Sequence, residues 1–433
     1  MSDRLLRRIA PDEVVIRRGM AVDERTLADA GRIVRDVRER GEAAVRDVGE
    51  QFGDLAAGDD LVIETRELMR ALDAIDGRDR AVLERAAGRI RRFAEAQRAA
   101  LRDVRVEIPG GVASHRCTPV DAAGCYAPGG RYPLPSSLLM TAVTARAAGV
   151  ERVWAASPRP GPIMQAAAAI AGVDGLIACG GAQVIAAMAF GAGPILRCDV
   201  IVGPGNRWVT AAKQIVGGSV RIDMLAGPSE LVIVADEHAD PGIVAADLLA
   251  QAEHDDDALP VLIALHERVV DTVEQALAVQ LDDLPTAITA RRALSNGFAV
   301  VVRDLDEAAE ICDRLAPEHL QLSGRSGDAL AERVRHFGAL FVGERSAEVF
   351  GDYGAGPNHV LPTGGTAWST GGLSVLNFLR VQTRLEMSNE TLHAGIARDA
   401  SHLARLEGLE AHARAAERRL RVRQGAPSTI RSR

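Results

Sequence analysis

Aromatic residues make up only 3% of this 433-residue chain, too few to build the stacking platforms on which single-stranded nucleic acids are held. A basic patch is missing as well. The formal net charge is -8, and the local arginine cluster between residues 414 and 433 reads as a solvated helix face and tail. No apolar run reaches membrane-spanning length, because the Ala- and Gly-rich stretch 165–196 is broken by Asp174, Gln183 and repeated glycines. Met1-Ser2-Asp3-Arg4 leads into charged sequence without a signal-like apolar core, so export is not expected. Cys117, Cys125, Cys179, Cys198 and Cys312 form no CxxC pair and no even framework, which suits a reducing cytoplasm. What remains is a composition of 47% hydrophobic and 25% charged residues, enough for two or three domains with a large core.

Residues 22–103 are predicted to be mostly helical, with Leu83, Ala87, Ile90 and Ala94 on one apolar stripe that should pack onto a sheet. From about residue 118, short apolar runs at 153–156, 175–179, 199–202, 230–235 and 261–265 alternate with helical stretches, the pattern of parallel α/β units. One more helix and strand cycle spans 300–342. Glycine and proline then become dense between 351 and 372, and the charged remainder to about 424 reads as helix lying against a partner subunit.

Gln251 and His254 stand three residues apart on what reads as one helix opened by Asp240-Pro241, a spacing that can present two ligands on one face. Two ligands are too few for a zinc site, so others must come from elsewhere. Gly203-Pro204-Gly205-Asn206 follows a strand and opens a helix, either as a plain tight turn or as an anion-binding turn, and it lacks the full GxGxxG fingerprint. Gly129-Gly130 after Tyr126 and Gly180-Gly181 before Gln183 are further strand-end turns of the kind that meet at a ligand crevice. Ser229, in Ala226-Gly227-Pro228-Ser229-Glu230, is either a backbone cap or a contact residue. Glu318-His319 sets a carboxylate beside an imidazole, which serves proton transfer near neutral pH unless the pair is merely surface. Asp352 opens a glycine-rich loop that also holds Asn358-His359. Glu407 and His412 would lie about 140° apart on a continuous helix, so they share a face only if Gly408 bends the chain.

Taken in order, GPGN at 203, IDMLAGPSE at 222, QAEH at 251, APEHL at 316, GDYGAGPNHVLPTGG at 351 and EGLEAHA at 407 closely resemble the histidinol dehydrogenase family over nearly the whole chain. The resemblance implies an α/β protein with two Rossmann-like domains, one inserted in the other, plus a short N-terminal arm and a helical C-terminal tail. The expected boundaries are an arm at 1–22, a first α/β domain from 23–125 and 231–373, a nucleotide-binding-like second domain at 126–230, and a dimerisation tail at 374–433. It also implies a cytoplasmic homodimer with an intertwined tail and no nucleic-acid or membrane partner. The expected activity is the NAD-linked, four-electron oxidation of the amino alcohol L-histidinol, through its aldehyde, to L-histidine.

By the same resemblance Gln251, His254, Asp352 and His412 are the zinc ligands, one zinc per subunit, with His412 supplied by the other subunit. His319 is the base and Glu318 activates water. Ser229, Gln251, His254, His319, Asp352, His359, Glu407 and His412 contact substrate, and Tyr126, Gln183 and Asn206 contact the dinucleotide. Cys125 or Cys312 as a covalent nucleophile is a rival route to aldehyde oxidation. The chain departs from the commonest family pattern at Arg131-Tyr132-Pro133, at Trp368-Ser369-Thr370 and over 377–385. The alternative within the scaffold is a relative that oxidises another amino alcohol or a sulfonated one such as sulfopropanediol.

Overall fold

In the strand Glu230–Ala235, Leu231, Ile233 and Ala235 alternate with Val232 and Val234, and both sets are buried. A strand covered on both faces belongs inside a parallel sheet. It lies within a six-stranded one, in the order Arg7–Ile9, Phe298–Val301, Leu259–Ala264, Glu230–Ala235, His319–Ser323, Ala339–Val342, with every pair parallel. The computed structural model describes residues 4–15, 22–129, 133–388 and 393–420, so Arg131 and Tyr132 lie outside the described residues. Helix Pro241–Ala252 covers one face of this sheet through Val244, Leu248 and Leu249, while Ala308, Ile311 and Cys312 of helix Leu305–Leu315 cover the other. Asp240 caps the first of these helices by accepting from Gly242 N (2.7 Å) and Ile243 N (3.3 Å), with Pro241 in its first turn.

A second six-stranded sheet runs Val62–Glu64, Gly175–Ile177, Arg152–Ala156, Ala122–Tyr126, Val200–Val202, Arg221–Ile222, antiparallel at Val62–Glu64 and parallel elsewhere. In each sheet the strand order reverses once, beside Glu230–Ala235 in the first and beside Ala122–Tyr126 in the second, as in doubly wound Rossmann-like folds. The segment 23–98 adds to the second sheet rather than the first: Val62–Glu64 is its edge strand, and helix Glu24–Arg40 packs on helices Gly181–Phe190 and Arg207–Val216. Its amphipathic stripe of Ala30, Val34 and Val37 joins one core with Val184, Ile185, Val209 and Ala212. The stripe in the sequence requires burial; the partner that supplies it comes from chain more than a hundred residues away. The expected arm is an edge strand, Arg7–Ile9, paired with Phe298–Val301.

Of the described residues, 99–118, 379–388 and 393–420 form a separate unit. In it the tail is not wholly helical, because Leu379–Met387 is a nine-residue strand beside Gly111–Pro119, which pairs in turn with Val104–Ile108. Helices Ala394–Leu406 and Glu410–Leu420 follow and pack on each other. Gly408, at φ 77°, breaks the run between them, and Leu409 N returns to Ala404 O at 2.7 Å, a glycine-terminated helix end. Glu407 thus closes one helix and His412 stands in the first turn of the next, both exposed.

Among the described residues no helix is long and apolar enough to cross a membrane.

Candidate active site

Glu230 and His319 are the first residues of adjacent parallel strands, which brings Ser229, Glu230, Glu318 and His319 together at the amino edge of the first sheet. Ala316, with a left-handed backbone at φ 45°, ends helix Leu305–Leu315 and turns the chain into this edge. Glu318 Oε2 accepts from Glu230 N at 2.9 Å. His319 Nδ1 lies 3.1 Å from Glu230 O. A carbonyl can only accept, so Nδ1 carries the proton and Nε2 keeps its lone pair. That Nε2 is buried and has no hydrogen-bond partner. Burial holds the imidazole neutral, pushing His319 down to about 3, and pushes Glu318 well above the usual carboxylate range.

Asp352 bridges this pair to the metal-ligand candidates. Its Oδ1 is 3.8 Å from His319 Nε2 and its Oδ2 is 3.7 Å from His254 Nε2. Asp352 ends the short helix Glu348–Asp352 instead of opening a loop, so Glu348 stands one turn before it on the same face. Glu348 escaped the sequence reading. It is buried, its Oε1 is 3.6 Å from His319 Nδ1, and its Oε2 has no partner. Burial, together with Asp352, Glu318 and Asp247, pushes the Glu348 carboxyl well up. Burial raises Asp352 also, against the opposing influence of His254.

Gln251 is the penultimate residue of helix Pro241–Ala252, whereas His254 lies two residues beyond the helix end, so the two do not share one helix. Glu253 still has right-handed helical backbone, and His254 N approaches Gln251 O at 3.4 Å, which keeps the turn tight. Gln251 is 0% exposed, yet neither its Oε1 nor its Nε2 has a partner. A buried amide is rarely left so, and two orphaned groups on one side chain fit a position that receives a ligand. His254, Glu348 and Asp352 each offer a ligand atom, all within 4.8 Å of one another. Neutral oxygen, imidazole and carboxylate donors are a set that zinc accepts.

His359 comes to the same place from the glycine-rich segment. Its Nδ1–H donates to Asp352 O at 2.8 Å, and its Nε2 accepts from the Ser137 hydroxyl at 3.2 Å. Burial pushes His359 below the usual imidazole range. Ser137 stands in the first turn of helix Pro135–Ala148, the first helix after the carboxyl end of strand Ala122–Tyr126, so this contact ties His359 to the carboxyl edge of the second sheet. No local pattern marks Ser137 in the sequence, because its partner is distant in the chain.

The dinucleotide candidates lie on that carboxyl edge. Gly203 has φ 118°, and a Cβ there would sit 2.0 Å from Tyr126 O, so only glycine lets these neighbouring strand ends meet at the reversal point. Asn206 is exposed and caps helix Arg207–Val216, accepting from Trp208 N (3.0 Å) and Val209 N (3.2 Å). Tyr126 and Gln183 are buried beneath the turns, with the phenol against the Gly181 backbone and Gln183 Nε2 3.5 Å from Cys179 Sγ. Glu407 and His412 belong to the separate unit formed by 99–118, 379–388 and 393–420.

The cysteine rivals fail on chemistry. Cys125 and Cys312 are fully buried, and burial pushes both thiols far up, away from the thiolate a nucleophile needs. Cys179 and Cys198 are likewise pushed up to about 12.

The family model described as histidinol dehydrogenase matches residues 16–420. A histidinol dehydrogenase of Parasynechococcus marenigrum is 45% identical over 395 residues, 90% of each chain. One of Ralstonia nicotianae is 42% identical over 408 residues, 92% of each chain. The crystal structure of histidinol dehydrogenase from Elizabethkingia anophelis matches with a TM-score of 0.90 at 29% identity, covering 97% of this chain and 99% of that one. With sequence and fold agreeing over almost their full lengths, the chain belongs to the histidinol dehydrogenase family of oxidoreductases.

Proposed function

We propose that this chain oxidises L-histidinol through L-histidinal to L-histidine with NAD. The observation that carries the reading is His319: a buried imidazole whose Nδ1 proton is held by Glu230 O and whose bare Nε2 faces the Asp352 carboxylate. A base in a fixed tautomer beside a ligand cluster is what proton removal from a positioned alcohol requires.

Gln251, His254 and Asp352 are the residues that would hold zinc, with His412 of the partner subunit completing the set. Support comes from the unpartnered Gln251 amide and the convergence of His254 and Asp352, in a pocket where buried carboxyl groups call for a cation. The close approach of Gly203 to Tyr126 and the Asn206 cap fit a dinucleotide at the second sheet's reversal point. When bound, zinc orients the substrate's amine and imidazole, and NAD takes up the hydride.

The rest falls to side chains of this chain. His319 Nε2 takes the proton of the substrate hydroxyl. Glu318, whose burial makes its carboxylate a stronger base, takes a proton from the water that adds to the aldehyde. Glu230 orients both groups, its N–H fixing Glu318 and its carbonyl fixing His319. His359, with both ring nitrogens engaged, holds the Asp352 backbone and faces substrate. Ser229 contacts substrate beside Glu318, as do Glu407 and the His412 ligand. Tyr126, Gln183 and Asn206 contact the dinucleotide.

A homodimer fits the unit formed by 99–118, 379–388 and 393–420, where Val381 is 64% and Leu406 71% exposed, as apolar residues on a strand and a helix that await cover. Cytoplasmic placement fits a sequence whose cysteines form no CxxC pair and no even framework.

The test is NADH formation with L-histidinol and, separately, with a sulfonated diol, before and after metal is stripped and zinc restored. Turnover of L-histidinol alone, lost with the metal and regained with zinc, is expected. NADH from the diol alone, or substrate consumption without NAD, would overturn the reading in favour of a different alcohol or a metal hydrolase.

A further inference from the structure

Lys213 is 2% exposed, and it stands in the middle of helix Arg207–Val216 with its ammonium pointing into the protein. A buried lysine is costly unless its charge is met. Lys213 Nζ pairs with Asp223 Oδ1, whose side chain is 0% exposed, and donates to Gly203 O at 3.0 Å. Asp223 Oδ2 accepts from Gly203 N at 2.7 Å, and Oδ1 accepts from Met224 N at 2.7 Å. The contacts close a ring. Both backbone groups of Gly203 are held, one by each member of an ion pair. Gly203 is the residue that must approach Tyr126 O at the strand-order reversal, and it leads directly into Pro204-Gly205-Asn206.

We propose that Lys213 and Asp223 are positioning residues for the dinucleotide, a buried clamp that fixes Gly203 and through it the Asn206 turn. The ring gives each charge a task. Asp223 holds the Gly203 N–H and Lys213 its carbonyl, and Lys213 cancels the carboxylate that would repel an anionic dinucleotide nearby. Neither residue touches the substrate side, where His319, Asp352 and His254 gather. The inference rests on the proposal that NAD binds at this turn.

The experiment measures NADH affinity by fluorescence titration, KM for NAD, KM for L-histidinol and zinc content in four proteins. These are the wild type, Lys213→Met with Asp223→Asn, Asp223→Asn alone, and Asn206→Ala. Removing both charges together avoids leaving a lone buried carboxylate. Expected is a rise of roughly ten- to a hundredfold in Kd for NADH and KM for NAD in the double variant. KM for L-histidinol and zinc content should stay at wild-type values, a split that general loosening of the fold would not give. Should the double variant prove insoluble, Asp223→Asn is read in the same way. Wild-type affinity for NADH in a soluble clamp variant, with Asn206→Ala weakened, overturns the clamp. Wild-type affinity in Asn206→Ala overturns the placement of the dinucleotide on this turn, and the clamp's role with it.

Discussion

Replacing His319 by Asn is expected to lower kcat for L-histidinol oxidation by about two to four orders of magnitude, the usual worth of a positioned base. Asn fills nearly the same space and its amide can still donate to Glu230 O, so the strand start should survive. What it cannot supply is the lone pair that His319 Nε2 presents, buried and unpartnered, 3.8 Å from Asp352. Zinc content should be unchanged because His319 is not among the proposed ligands. The opposite pattern is expected of His412→Asn, which should lose zinc together with activity. Steady-state kinetics and metal analysis on both variants separate the roles. A His319→Asn enzyme within tenfold of wild type would remove His319 as the base.

Replacing Glu318 by Gln should split the two oxidations. Gln keeps an oxygen able to accept from Glu230 N, the contact Glu318 makes at 2.9 Å, so the geometry around His319 is retained. The alcohol step needs only the His319 base and should persist near its wild-type rate. The aldehyde step needs a proton acceptor for the adding water and should fall by about two to four orders of magnitude. Rapid-quench measurement should then find one NADH formed quickly per site, with aldehyde accumulating. Equal slowing of both steps would assign Glu318 to substrate or metal positioning instead of water activation.

The site was more legible in the sequence than the packing that builds it. Glu318-His319, Gln251, His254 and Asp352 stand in short motifs whose order is informative, and the structure brings Glu318, His319, His254 and Asp352 to one place, with Gln251 one turn before His254. Glu348 was within reach, since it stands one helical turn before Asp352, but Gly351, Gly354 and Gly356 disguise the short helix as loop. The strand Leu379–Met387 carries period-two apolar residues at Leu379, Val381, Leu385 and Met387, a signal interrupted at Thr383. Helix Glu24–Arg40 announces a buried stripe without saying which sheet receives it. Ser137 and Lys213 were beyond reach. Each looks unremarkable in its own segment, and each acquires its place from a partner, His359 or Asp223, that only the fold supplies.

At this site one chain is expected to carry L-histidinol through a four-electron oxidation. It is tested most directly by exhausting a limiting amount of L-histidinol in the presence of zinc-loaded protein and excess NAD, then counting products. Two NADH and one L-histidine are expected for each L-histidinol consumed. One NADH with L-histidinal left in solution, or no NADH at all, would contradict it.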